Sequence, residues 1–299
     1  MNNFHTPVLL KEVLDFLQVK EGKKYIDATL GGGGHTKGIL ELGGRVLGID
    51  QDREAIDYVS KNEISNIENQ KLFLEKGNFK DLNKIARLKN FDKVSGILFD
   101  LGVSSHQIDT PQRGFSFLKD GPLDMRMDNE AAVTAEILVN LLEKGELYEL
   151  FNNLGQERRS WSISNSIVRA RRVKAIKTTG DLEAVVEQAY GIKAGKASDF
   201  TKNLINRKVF QALRIAVNQE LENLSEALPK AEYLLEEKGR IVAISFHSLE
   251  DKIIKNVFKD FEKKNLGKII TEKPVLPGRE EILNNSRAKP AKLRVFEKN

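Results

Sequence analysis

A chain of 299 residues is long enough to bury a full α/β core and to carry a second, smaller domain besides. Its 40% hydrophobic and 30% charged residues are those of a soluble globular protein and exclude a disordered or fibrous chain. The absence of cysteine excludes disulfides and thiolate metal sites, and a net charge of +5 is too small to imply nucleic acid by itself. The four histidines have no zinc-ligand spacing, so a metal would have to rest on carboxylates. No apolar run approaches the roughly 18–20 residues of a membrane span. The first residues, MNNFHTPVLLKEV, lack a basic segment followed by a long apolar one, and a cytoplasmic protein without membrane contact is expected.

In chain order, the first hundred residues alternate short apolar runs with amphipathic segments, the rhythm of βαβ units and a mostly parallel sheet. Strands are predicted at Tyr25–Thr29, Arg45–Asp50, Leu72–Gly77 and Gly96–Gly102, and helices at His35–Leu42, Asp52–Lys61 and Asp81–Leu88. Asp52 and Asp81 are the expected N-caps, because a carboxylate accepts the free amide hydrogens of a first turn. After Gly102 the segment GVSSHQIDTPQRGFSFLKDGPLDMRMD is rich in Gly, Pro, Asp and Ser and too long for an ordinary connection, which marks it as functional.

Thr134–Leu154 then spaces Ile137, Leu138, Leu141, Leu142, Leu147 and Phe151 as a helix does, and helical patterns continue through Leu213. Val217, Leu221, Leu224, Leu228 and Leu235 share one face of a helix that Pro229 should kink or divide. Gly239–His247 reads as a buried strand, Ser248–Phe261 as a helix, and Lys292–Lys298 alternates like an edge or closing strand. The predicted fold is a doubly wound, Rossmann-like α/β domain formed by 1–108 and 213–299, interrupted by a mainly helical insert at 109–212.

The strongest local signal for chemistry is YIDATLGGGGHT, a strand running into consecutive glycines and then a helix. Glycines let a ligand pack against main chain and a helix N-terminus, although such a turn also serves tight strand-to-helix packing alone. Asp50 closes the second strand about twenty residues on, where an acidic side chain in these folds accepts hydrogen bonds from ribose hydroxyls. The pair fits an adenosine-containing cofactor, either a nicotinamide dinucleotide or S-adenosylmethionine. A dinucleotide fingerprint would place Gly first, third and sixth, but counting from Gly31 the sixth residue is Thr36, which favours the methyl donor.

Asp27 is as well explained by a structural role at its strand end and is set aside. Phe79 follows the third strand, where its ring can cover adenine or fill the core. The fourth strand runs through Asp100 into Ser104 and Ser105, placed to meet an amine or hydroxyl nucleophile, although serines also cap turns. In Ser245-Phe246-His247-Ser248 the second serine reads as a helix cap, leaving His247 as a catalytic candidate or a satisfied buried histidine. From Arg158 to Lys177 there are seven basic residues and no acidic one. Arg158, Arg159, Arg169, Arg171 and Arg172 of that stretch are candidates to follow a phosphate backbone, and a solvated basic helix face is the plainer alternative.

The segments HTPVLLKEV at 5–13, DATLGGGGHT at 27–36, GIDQD at 48–52, DLGVSSHQID at 100–109, RGFSF at 113–117, DGPLDMRMD at 120–128, FQALRIAVNQEL at 210–221 and ISFHSLEDKIIK at 244–255 carry a resemblance over nearly the whole chain. The chain resembles the bacterial small-subunit ribosomal RNA cytosine-N4 methyltransferases, the methyltransferase H family. The resemblance implies a class I methyltransferase domain interrupted by a helical insert. It implies S-adenosylmethionine held by Gly33, Gly34, His35, Asp50, Phe79, Asp100 and Gln107, and transfer to a cytosine in the decoding centre of 16S rRNA. The sequence leaves free rRNA and the assembled 30S subunit both open as the form of the substrate, with the 30S subunit the expected partner. The sequence departs from the family at DFTKNLINRKVF, where a stretch with proline and threonine is expected, and at SWSISNSIVRARR, which lacks the usual regular run of arginine and alanine.

Methyl transfer from a sulfonium is an in-line displacement that needs positioning and no metal. Hydrogen-bond acceptors near the cytosine amine favour its nucleophilic geometry, and Asp100, Ser104, Ser105 and His247 are the catalytic candidates. The rival functions are an RNA-binding ribosome assembly factor and a nicotinamide-dependent oxidoreductase. Homodimerisation is left undecided by the sequence.

Overall fold

The structure is a computed structural model describing residues 6–61, 71–193 and 198–299; His5 and residues 194–197 of the expected helical stretch fall outside them. The chain divides into two compact units, Met1–Ser104 with Leu221–Asn299, and Ser105–Glu220, the second a little longer at each end than the expected insert.

The first unit opens with α1 (Leu10–Leu17), β1 (Lys24–Asp27), α2 (Gly34–Glu41), β2 (Arg45–Asp50), α3 (Arg53–Lys61), β3 (Leu72–Lys76), α4 (Leu82–Leu88) and β4 (Val94–Asp100). Next come α5 (Ser105–Asp109), α6 (Ala135–Leu141), α7 (Lys144–Asn153), α8 (Ser160–Val173), α9 (Thr179–Ala189) and α10 (Asp199–Asn218) of the second unit. The chain then returns through α11 (Glu220–Leu234), β5 (Leu235–Ser245), α12 (Ser248–Lys263), β6 (Gly267–Ile269), α13 (Arg279–Asn284) and β7 (Lys292–Lys298). Among the described residues, no helix is long and apolar enough to cross a membrane.

The strands form one sheet in the order β3-β2-β1-β4-β5-β7-β6. Strands β1 to β5 are parallel and β7 runs antiparallel to both its neighbours. This is the doubly wound, Rossmann-like sheet expected from the sequence. Winding reverses between β1 and β4, which puts the ligand crevice of such a sheet beyond the carboxyl ends of β1, β2 and β4. Those central strands read as apolar runs because helices cover both faces. Ile26, Ile97 and Phe99 pack toward Leu224, Leu228, Ile254 and Phe258, while Tyr25, Val46 and Leu98 pack toward Val13, Leu17 and Ile39.

Several local expectations are corrected. Lys292–Lys298 is an interior strand, since β6 pairs on its far side and forms the edge. Pro229 lies inside one continuous helix; burial of Leu224, Ala227, Leu228 and Ala231 holds α11 together across the hydrogen bond that proline cannot make. The break falls earlier, at Gln219, whose φ of 50° ends α10 and separates Val217 from the leucines of α11. The expected helix at Thr134–Leu154 is two helices, parted at Leu142 and Glu143, where the Glu146 side chain accepts from the Glu143 amide at 2.7 Å. Strand β5 starts at Leu235, before Gly239. Asp52 caps α3 as expected, with Oδ1 accepting from the Glu54 amide at 3.0 Å, whereas Asp81 makes no cap bond.

The second unit has its own core, including Leu147, Phe151, Ile163, Ile167, Leu182, Val186, Val209 and Leu213.

Candidate active site

Strand β1 ends at Asp27, and the chain turns through Ala28 to Gly33 into α2. Gly33 occupies the N-cap with φ 74°, a conformation that side chains resist. A Cβ on Gly34 would come within 2.8 Å of the Pro7 ring, so the helix start lies against the N-terminal segment.

Across the turn, Asp50 Oδ2 accepts from the Gly31 amide at 2.8 Å and Oδ1 from the Asp52 amide at 2.9 Å. Each carboxylate oxygen has a second lone pair, so Asp50 braces the turn and keeps acceptor capacity for a hydroxyl-bearing ligand. Burial, only partly offset by those two amides, pushes its pKa up to about 6.

A second buried network links β1, α2 and β4. The Thr36 hydroxyl donates to Asp27 Oδ2 at 2.7 Å, and the Asp100 amide donates to Thr29 Oγ1 at 2.6 Å. His35 is buried, with Nε2 3.0 Å from the Val8 carbonyl and Nδ1 3.5 Å from Asp100 Oδ2. A carbonyl oxygen only accepts, so Nε2 carries the hydrogen and Nδ1 faces the Asp100 carboxylate. Burial raises the pKa of Asp27, against the opposing pull of His35 and the Thr36 hydroxyl. Three carboxylates therefore end adjacent strands, with one histidine between two of them. Such a concentration suits a small cationic ligand that also offers hydroxyl donors. Phe79 stands in a single 3-10 turn after β3, edge-on to Phe99 at 5.8 Å between ring centroids, half-buried beside the core.

The sequence matches the MraW methylase family over residues 2–299. The chain belongs to the MraW methylase family. It is 44% identical over 312 aligned positions to the Ribosomal RNA small subunit methyltransferase H of Halothermothrix orenii, covering 98% of each chain. It is 43% identical to the protein of that name from Carboxydothermus hydrogenoformans, covering 98% of this chain and 97% of the relative.

In this MraW-family chain, Gly33, Gly34, His35, Asp50, Phe79, Asp100 and Ser104 all belong to the first unit. Ser105 and Gln107 lie on α5, in the second unit. His247 is itself the N-cap of α12, and Ser248, expected as the cap, is the first helical residue. The His247 Nδ1 accepts from the Glu250 amide at 3.4 Å and so caps the turn after β5, while its buried Nε2, 3.2 Å from Glu250 Oε1, makes no hydrogen bond among the described residues.

Of the candidate arginines, Arg158, Arg159, Arg169 and Arg172 are exposed on the second unit and Arg171 is half-buried. Arg159 lies over the Tyr190 ring at 4.6 Å, and Arg171 Nη1 donates to the Val139 carbonyl at 2.7 Å, tying α8 to α6. Sequence reasoning missed Thr29 and Thr36 and set Asp27 aside. Both threonines flank the glycines in DATLGGGGHT, but nothing local announces that the Thr36 hydroxyl serves the Asp27 carboxylate and that Thr29 Oγ1 accepts from the Asp100 amide.

Proposed function

We propose that this chain methylates small-subunit ribosomal RNA, using S-adenosylmethionine as donor and the exocyclic N4 of a decoding-centre cytosine as acceptor. The observation that carries the proposal is the convergence of Asp27, Asp50 and Asp100 around the Gly31–Gly34 turn in a member of a methylase family. The name carried by the curated relatives supports ribosomal RNA as the substrate class.

S-adenosylmethionine supplies a methyl group activated on a sulfonium. Gly33, Gly34, His35, Asp50, Phe79, Asp100 and Gln107 are the residues assigned to hold it. Asp50 offers lone pairs to ribose hydroxyls, Phe79 an apolar ring face, and the acidic strand ends an environment that favours cations. Asp100, Ser104 and Ser105 are assigned to accept hydrogen bonds from the cytosine amine, whose lone pair is otherwise delocalised into the ring. His247 is assigned as the fourth catalytic residue, its ring held by the turn that it caps. Much of the acceleration comes from fixed alignment of donor and acceptor.

The substrate base has to be unstacked to reach such a site, and unpaired RNA is the easiest to splay. Arg158, Arg159, Arg169 and Arg172 are the arginines available to phosphates, and an assembled 30S subunit is the proposed form of the substrate. The test is incubation of the protein with labelled S-adenosylmethionine and unmodified small subunits, followed by nucleoside analysis. Label in N4-methylcytidine is expected and should be lost in Asp100→Ala; label absent from that nucleoside would falsify the assignment.

A further inference from the structure

We infer that Trp161, Tyr148 and Lys144 of the second unit form a stacking platform for an unpaired base of the RNA, an inference that rests on the RNA substrate proposed above. Trp161 is the single tryptophan of the chain and is 54% exposed; Tyr148 is 37% exposed. They stand on α8 and α7, whose inward faces are already filled by Ile163 and Ile167 and by Leu147 and Phe151. Neither ring is needed by the core.

The two rings are nonetheless held. They meet edge to face with centroids 5.8 Å apart and planes at 79°. The Lys144 ammonium lies 4.1 Å from the centroid of the Trp161 ring. A tryptophan oriented by neighbours on the surface presents a fixed π-face to whatever binds there.

Charge complementarity selects the occupant. Arg172 follows Trp161 by eleven residues, which on an α-helix brings it back to within about 20° of the same face; Arg169 lies about 80° from it. Both are exposed. On α7, Glu146 is spent on the Glu143 amide at 2.7 Å, and Glu149 is turned about 100° from Tyr148. Aromatic rings interleaved with cations match the two surfaces of single-stranded RNA, its bases and its phosphates. The bases stack on Trp161 while Lys144, Arg169 and Arg172 meet the backbone.

Because Trp161 is the only tryptophan, its fluorescence reports this surface alone. Titration of the full chain with an unpaired pyrimidine oligoribonucleotide is expected to quench that fluorescence in step with binding measured independently. An abasic ribose-phosphate oligomer should bind through the arginines without quenching. Trp161→Ala is expected to weaken RNA binding about tenfold, Trp161→Phe to retain most of it, and neither to change the slope of log K against log salt, since no phosphate contact is removed. Arg172→Gln should lower that slope.

The inference is overturned if small subunits are methylated and RNA binds while the fluorescence stays constant, or if Trp161→Ala binds RNA like the parent. It is also overturned if Trp161→Ala converts a dimer to a monomer in sedimentation, which makes the surface a contact between copies. Failure of the proposed function looks different: no RNA bound and no label transferred by the parent chain.

Discussion

Asp50 makes the proposed cofactor site sensitive to pH in a calculable way. Burial raises its pKa from 3.8 to about 6, with the Asp52 and Gly31 amides opposing the rise. The folded chain therefore keeps this proton longer than the unfolded chain does. Asp50 accordingly costs the free protein stability as pH rises from about 4 to about 6, roughly 3 kcal/mol in full. A ligand whose ribose hydroxyls donate to Asp50 favours the ionised form, so binding near pH 6 must release the proton. For a ligand that binds only the ionised form, the apparent Kd doubles at about pH 6 and rises about tenfold at pH 5, equivalent to about 1.4 kcal/mol. Isothermal titration with S-adenosylhomocysteine, in paired buffers of different ionisation enthalpy, reads both quantities. About half a proton released per ligand is expected at pH 6, and almost none at pH 7.5. Asp50→Asn should bind more weakly with a flat profile. Constant affinity from pH 5 to 7.5 without proton release refutes the reasoning, and an undiminished pH dependence in Asp50→Asn moves the titration to Asp27, whose pKa burial also raises.

Four further outcomes follow from packing and charge. Gly34→Ala drives a methyl group against the Pro7 ring, 2.8 Å away, and should cost about 1–3 kcal/mol together with cofactor affinity; an unchanged thermal midpoint contradicts this. Arg171→Gln removes the bond to the Val139 carbonyl and should destabilise the chain by about 1 kcal/mol with the salt dependence of RNA binding intact. Arg169→Gln should do the reverse, leaving stability and lowering the salt slope by about one. On β7, Arg294 Nε donates to Asp251 Oδ1 at 2.7 Å; burial alone raises the pKa of Asp251, but Arg294 and Lys292 outweigh it and hold the carboxyl below its usual range. That stabilisation is present above the ordinary carboxylate range and lost as pH falls through the lowered value. Arg294→Met should therefore cost about 2 kcal/mol in urea unfolding at pH 7 and much less at pH 3.

The parts of this fold most legible in the sequence are those whose cause is local. Strand β2 is predicted at its observed limits because a central parallel strand, covered on both faces, must be apolar throughout, and Asp50 marks where the chain leaves that cover. The glycine turn is visible for the same reason: Gly33 at positive φ and Gly34 against Pro7 leave little choice of residue type. What the sequence hides is long-range. Nothing near His35 announces Asp100, and nothing near Thr36 announces that its hydroxyl serves Asp27. Capping went wrong at α12 because serine is the statistical favourite, whereas His247 places an imidazole acceptor and Glu250 a reciprocal carboxylate at the same helix end. Pro229 was a sound warning of local cost that burial of one helix face overrides.

The long polar segment after Gly102 shows how a functional expectation and a structural one can share a stretch of chain. Arg113 Nη2 donates to the carbonyls of Arg126 and Met127 at 3.1 and 3.0 Å, and Arg126 grips Asp124 through two nitrogens at 2.8 and 2.7 Å. Between them Met125 is fully buried at φ 65°, an unfavourable conformation for a side-chain-bearing residue. The Asn218 side chain holds it there, donating to the Met125 carbonyl and accepting from the Met127 amide, each at 2.8 Å. Asn218 is the last residue of α10, immediately before the left-handed Gln219. One amide therefore joins the start of the second unit to its end, and the charged and polar residues from Arg113 onward are largely consumed in closing that unit. Ser104, Ser105 and Gln107, the residues proposed for the site, lie upstream of this closure.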